Sequence, residues 1–251
     1  TIQYDGTSCS PEGLRELLNQ AEENPDIKAV VLRVDSGGGT ATAGEEMAAY
    51  VRDFSKPIVV SSASMNCSAA YEISSQADYI FVNETTAIGA IGTIMQSTDI
   101  SELLDKLGIS VDNIASADSK DSSYGTRPLT DEERAYYQEL VDTINETFIN
   151  SVAEGRDMTV EEVRALATGM QFAGTVAVEN GLADEVGIYE DALDKAAQLG
   201  GIESFDGAYD VVSLTQSPSD LSALMDLLGT SESSSAAEML LESMKQEGAR
   251  S

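Results

Sequence analysis

Between residues 28 and 63 the chain reads "KAVVLRV" (28–34), then "DSGGGTATA", then "GEEMAAYVRDF" (44–54), then "IVVSSA" (58–63). β-Branched apolar runs bounded by turn residues are strand signals. The middle segment repeats its apolar residues at helical spacing. Strand, glycine-rich turn, helix and strand in that order impose a βαβ plan, and so an α/β domain. "SPEGLRELLNQAEENP" precedes it as a helix, with Ser10 as cap and Pro11 in the first turn. "DYIFV" (78–82), "AIGTIM" (90–95), "SVDNIAS" (110–116) and "AYDVVSL" (208–214) are further strand candidates. "SELLDKLG" and "IYEDALDKAAQLGG" read as helices. Capping boxes at Thr130/Glu133 and Thr159/Glu162 open a long helix and a shorter one. With 251 residues the chain can bury a sizeable core. We expect one domain over residues 1–228. A serine-rich tail with a short amphipathic helix, 229–251, follows it.

The charge balance excludes several functions. Acidic residues number 44 against 14 basic, a net charge of −30, and such a surface repels nucleic acid. No apolar run reaches the length that spans a bilayer, and "TIQYDGTSCSPEG" lacks the features of a signal peptide. Any membrane anchor is therefore expected outside this sequence. Cys9 and Cys67 make no CxxC pair and no zinc-ligand set. Neither a metal nor a cofactor is expected, since the chain has no phosphate-binding or dinucleotide fingerprint.

"SMNCSAAY" (64–71) puts Ser68 at the bend between a strand and a helix, where a hydroxyl can act as a nucleophile. The chain contains no histidine, so a Ser-His-Asp triad cannot form within it. The remaining base for a serine nucleophile is a neutral lysine. Lowering a lysine pKa from about 10.4 by about 3 units requires roughly 4 kcal/mol of disfavour toward the cation, which apolar burial can supply. Lys28 and Lys56 begin strands, where lysines are normally solvated. Lys106 and Lys195 lie on helices among acids, and Lys245 is in the tail. Lys120 alone sits in a long irregular loop, "ADSKDSSYGTRP" (117–128). "DSGGGT" after strand 28–34 lets the backbone approach a substrate closely, which an oxyanion-binding loop requires.

These pieces, in this order, resemble the signal peptide peptidase A family of serine peptidases. "LRVDSGGGT" is similar to the family's strand and "SPGG" loop, with Gly37 in place of proline. "CSAAYEISSQADYI" is similar to its "ASGGYYIS…xADxI" nucleophile motif. "IGAIGT" (88–93) corresponds to "TGSIGV", "SADSKD" (116–121) to "SGxxKD", and "GLADEVGIYEDAL" to "GLVDxxG". The resemblance spans residues 10 to 215. It implies the Clp protease/crotonase-like fold, a superhelix of repeated β-β-α units. It implies Ser68 as nucleophile, Lys120 as general base, Gly38, Gly39 and Ala69 as oxyanion donors, and Gly89, Ala90, Ile91 and Gly92 as the strand beside which substrate lies. The substrates implied are signal peptide remnants or other extended apolar peptides, cleaved at the extracytoplasmic face of a bacterial or archaeal membrane. The implied assembly is a homo-oligomer, an octameric ring or bowl, with dyads near protomer interfaces. Ala90 stands where the family places a lysine-orienting serine. Three other readings share the fold: a phage-type capsid-maturation protease, a crotonase-like acyl-CoA enzyme and an inactive binding homologue.

Overall fold

A computed structural model describes residues 1–203 and 209–216. β1 (Val30–Ser36) and β2 (Ile58–Cys67) pair in parallel, joined through α2 (Ala41–Arg52). β2 is the organising strand. Its first half, Val59–Ser61, pairs on the other side with β3 (Tyr79–Val82). Its last residues, Met65–Cys67, pair with β4 (Ala87–Gly89). The register on β1 slips between the two halves, from Val34 opposite Ser62 to Ser36 opposite Asn66. Such an irregularity bends the longer strand and re-aims its end. β5 (Gln171–Ala173) runs antiparallel along β4, and β6 (Glu185–Val186) runs parallel along β3. The result is a curled mixed sheet in the order β5-β4-β2-β3-β6, with β1 against β2.

Successive strand residues face opposite sides, and here both sides are covered, which is why the strands read as continuous apolar runs. Val60, Ile80, Val82 and Ile88 pack with Leu14 and Leu18 of α1 (Pro11–Glu23) and Met47 and Val51 of α2. The same cluster takes in Tyr71 of α3 (Ala69–Ser74) and Ile149 and Val152 of α5 (Asp131–Gly155). Val59 and Phe81 face the other way, against Ala192 and Ala196 of α8 (Tyr189–Leu199). α4 (Ser101–Lys106), α6 (Val160–Leu166) and α7 (Gly174–Glu179) complete the helices of the described residues. Residues 1–214 form one compact unit; of the second, 215–251, only 215 and 216 are described. The expected tail helix lies outside the described residues.

Both capping boxes form as read, at Thr130 and Thr159, and Ser10 caps α1. Three strand expectations are corrected. The strand placed at 90–95 is three residues long and lies at 87–89, because Gly89 (φ +92°) and Ala90 (φ +49°) break the extended run. Residues 110–116 form no strand: their side chains are exposed, Ile114 completely, and no neighbour offers a ladder. Residues 209–214 are likewise irregular. Lys56 is also not a solvated strand end. Its ammonium donates to the carbonyls of Ala21, Glu22 and Asn24 at 2.5, 3.2 and 2.9 Å, closing the C-terminus of α1.

Candidate active site

β1 and β2 are parallel neighbours, so the loops at their carboxyl ends lie side by side. One is Gly37-Gly38-Gly39 and the other is Ser68. Carboxyl ends of parallel strands are where α/β sheets place ligand sites. Ser68 has φ 54° and ψ −129°, a conformation that L-residues avoid at a cost of about 1–3 kcal/mol. Its neighbours hold it there. Ser68 N–H donates to the Gly89 carbonyl at 2.7 Å, and Ser68 C=O accepts from the N–H groups of Tyr71 and Glu72 at 2.8 and 3.0 Å. α3 is in turn pinned from below. The Ser74 hydroxyl donates to Asn66 Oδ1 at 3.1 Å, Asn66 Nδ2 donates to Ser62 at 3.0 Å, and the buried Tyr71 hydroxyl donates to the Leu182 carbonyl at 2.9 Å. Burial pushes the Tyr71 and Cys67 pKa values up. Cys67 is buried and Cys9 exposed, and both are free thiols.

The glycines at 38 and 39 are required by close approach. A Cβ on Gly38 would lie 2.7 Å from Ser68 Cβ and 2.9 Å from the Cys67 carbonyl, and φ there is +102°. A Cβ on Gly39 would lie 2.0 Å from the Ile2 carbonyl oxygen. Ile2 grips this loop as a short parallel bridge, its N–H on Gly38 C=O at 3.0 Å and its C=O on Thr40 N–H at 2.9 Å. Gly38 N–H donates to Ser36 Oγ at 3.1 Å. The N–H groups of Gly39 and Ala69 donate to no acceptor among the described residues. Those two residues, with Ser68, line a cavity of about 320 Å³.

The structure thus brings Ser68, Gly38, Gly39 and Ala69 together. Of the strand expected to flank substrate, only Gly92 lines the cavity. Gly89 is spent on holding Ser68. Ala90 and Ile91 are tied to Met170 and Gly169 at 3.2 and 2.9 Å.

Lys120 is not brought to Ser68. It is exposed, lines no part of the cavity, and its side chain forms no hydrogen bond or ion pair among the described residues. Its loop is nonetheless held. Arg127 donates to Asp121 Oδ1 at 2.7 Å and to both oxygens of Glu133 at 2.7 and 2.9 Å. Asn113 Nδ2 donates to Asp121 Oδ2 at 2.9 Å. These bonds hold the carboxyls of Glu133 and Asp121 well below the usual range. Among the described residues no His, Cys, Asp and Glu gather as metal ligands, and no helix is long and apolar enough to cross a membrane.

Two residues that the motifs did not single out also line the cavity, Glu72 and Glu45. Glu72 is 4 % exposed and its Oε1 has no hydrogen-bond partner among the described residues. An unmet buried acceptor costs about 1–3 kcal/mol. Burial, and then the charge of Glu45, push the Glu72 pKa up to about 7 against the opposing effect of a hydrogen bond from Ser151. The sequence held one signal for it: an acid inside the small, apolar run "SAAYEIS", where the family motif has tyrosine.

Comparison with known proteins gives the family. The chain is 37 % identical over 180 residues to a protein of Enterococcus faecium assigned as signal peptide peptidase SppA, covering 70 % of this chain and 52 % of that one. It is 36 % identical over 190 residues to a protein of Methanocaldococcus jannaschii assigned as a protease, covering 75 % and 61 %. With a Synechocystis protein, also assigned as a protease, it shares 32 % identity over 240 residues, covering 90 % and 87 %. The chain therefore spans about half to two thirds of the first two relatives and most of the third. The profile of peptidase family S49 matches residues 51–203, which carry Ser68, Lys120 and the "GLADEVG" segment. A strained serine between two glycine-rich turns, no histidine and this match converge: the chain belongs to peptidase family S49.

Proposed function

We propose that the chain is a serine endopeptidase that works through a Ser68/Lys120 dyad on extended peptides, remnant signal peptides among them. One observation carries the reading: Ser68 sits on a strained backbone beside Ala69 and Gly39, whose N–H groups have no acceptor among the described residues, and all three residues line the same cavity. Ser68 Oγ attacks the scissile carbonyl as its proton passes to the Lys120 side-chain nitrogen. The oxyanion is met by Ala69 N–H and Gly39 N–H, with Gly38 shaping the turn. Lys120 then protonates the departing amine, and water resolves the acyl-enzyme by the reverse sequence.

Lys120 faces solvent within its own chain, so the dyad is completed by a neighbouring copy. The segment that would carry it across exposes Ile94, Leu103, Ile109, Val111 and Ile114, a density of apolar surface that marks an interface. On this reading the protein is a homo-oligomer, an octameric ring or bowl, whose protomers have the Clp protease/crotonase-like superhelix over residues 1–228, with 229–251 as tail. It acts at the extracytoplasmic membrane face, anchored by a segment outside this sequence. A serine-directed phosphonate with intact-mass detection tests it. One adduct per chain is expected, absent in Ser68→Ala; an adduct that survives Ser68→Ala would refute the dyad.

A further inference from the structure

The cavity beside Ser68 is lined by two carboxylates and by no lysine or arginine. Glu72 stands one turn along α3 from Ser68, its N–H on the Ser68 carbonyl at 3.0 Å. Its neighbours on that helix use their polar atoms within the fold. Ser74 bonds Asn66, and Ser75 Oγ bonds the Glu72 carbonyl at 2.7 Å. Glu72 Oε1 has no hydrogen-bond partner among the described residues, and of the buried polar atoms in that position it is the one whose residue lines the cavity. Facing Glu72 are Glu45 from α2 and Ser151 from α5, so the only formal charge beside it is another negative one. Close packing fixes the side chain, since a Cβ on Gly44 would lie 2.7 Å from Ala69 Cβ and 3.4 Å from Glu72 Oε2. The remaining walls are apolar, from Ile94, Ile144 and Phe148, or hydroxyl-bearing, from Thr40, Thr42 and Thr147.

A cavity with an apolar side and two carboxylates, one of them buried with an unpartnered oxygen, fits one class of side chain, an aliphatic stem with a cationic head. We propose that this cavity is a specificity pocket for a lysine or arginine side chain of the peptide substrate. The head sits on Glu72 and Glu45, and the stem runs along Ile94, Ile144 and Phe148. The inference rests on Ser68 being the nucleophile. It departs from the extended apolar peptides that the family resemblance implies. Remnant signal peptides supply such residues in their basic leading segment, and a chain of net charge −30 draws cationic peptides toward it. A bound cation also supplies the partner that Glu72 lacks, holding its carboxyl ionised.

The test separates binding from chemistry. Neutral host peptides carrying a single lysine or a single norleucine, walked through every position, are titrated onto Ser68→Ala protein by fluorescence anisotropy. Ionic strength is kept at about 0.5 M to screen the surface charge. One register is expected in which lysine binds about 10-fold tighter than norleucine at about pH 8.5. That preference should shrink several-fold at about pH 5.5, vanish with added Glu72→Gln, and persist with added Glu139→Gln on the exposed face of α5. Equal binding of the two peptides at every register overturns the proposal. So does a lysine preference that survives Glu72→Gln, or a Glu72→Gln loss shared equally by both peptides, as a merely structural role or a hold on Lys120 would give. If Glu72→Gln does not fold, Glu45→Gln replaces it, with a partial loss expected and no loss counting against the pocket. Turnover of the same peptides by the intact chain reports the Ser68 reading separately: a lysine preference in binding with no cleavage refutes the nucleophile and leaves the pocket standing.

Discussion

Ser68 and Lys120, the two halves of the proposed dyad, stand in opposite kinds of surroundings. Around Ser68 every degree of freedom is taken: Gly89 holds its N–H, Gly38 abuts its Cβ, and the Asn66–Ser74 bond anchors its helix. Around Lys120 the backbone is tied through Arg127, Asp121 and Glu133, while the side chain is exposed and makes no hydrogen bond or ion pair among the described residues. On the proposed reading the chain alone completes the nucleophile and its oxyanion donors, and it holds Lys120 outward on a loop tied by Arg127, Asp121 and Glu133.

The largest expected effect tests that contrast directly. Ser68→Ala and Lys120→Ala should each lower turnover by about 10³-fold or more. Co-refolding the two inactive variants should restore about a quarter of wild-type sites if each dyad spans two copies, measured as peptide cleavage in the mixture. No recovery in a mixture shown to assemble would place both residues in one chain. Next, Gly38→Ala drives a methyl into Ser68 Cβ. It should reduce turnover by about 10²-fold and cost about 1–3 kcal/mol of stability, read by urea denaturation. Glu72→Gln should act on stability through pH. The folded pKa, about 7, lies above the ordinary glutamate value, so the wild type gains from Glu72 fully below about pH 4.5 and loses that gain as pH rises through 7. From about pH 5 to 8 wild type should therefore fall relative to Glu72→Gln by on the order of 2 kcal/mol. Arg127→Gln should slow turnover by about 10-fold by loosening the lysine loop, and should slow the rate of Ser68 labelling by the phosphonate to a similar degree. Thr130→Ala, which removes one cap bond from α5, should cost about 1 kcal/mol and leave activity near wild type.

The two regions also differ in how much of them the sequence disclosed. Thr130, Glu133, Thr159 and Glu162 were legible because a capping box is complete within four residues. The approach of Gly38 to Ser68 was legible because a βαβ unit must bring the ends of its two strands together. Residues 110–116 misled because alternation without a partner strand is indistinguishable from a real edge. The strand at 87–89 was displaced to 90–95 because its position is set by pairing with Met65–Cys67, far away in sequence. Glu72 was passed over because a lone acid among 44 carries no signal until its burial is known. On the proposed reading Lys120 meets Ser68 through contacts between copies, which no pattern within one sequence records.

β2 also sets when the candidate site comes into being as the chain folds. One strand must register with β1, β3 and β4 before Ser68 is strained into place, and the Gly89 carbonyl that holds it arrives only with β4. Such pairings are non-local and form late in folding. A chain made only as far as β2 therefore carries Ser68 without the carbonyl that holds its N–H, and the strained geometry of the candidate site arrives with β4.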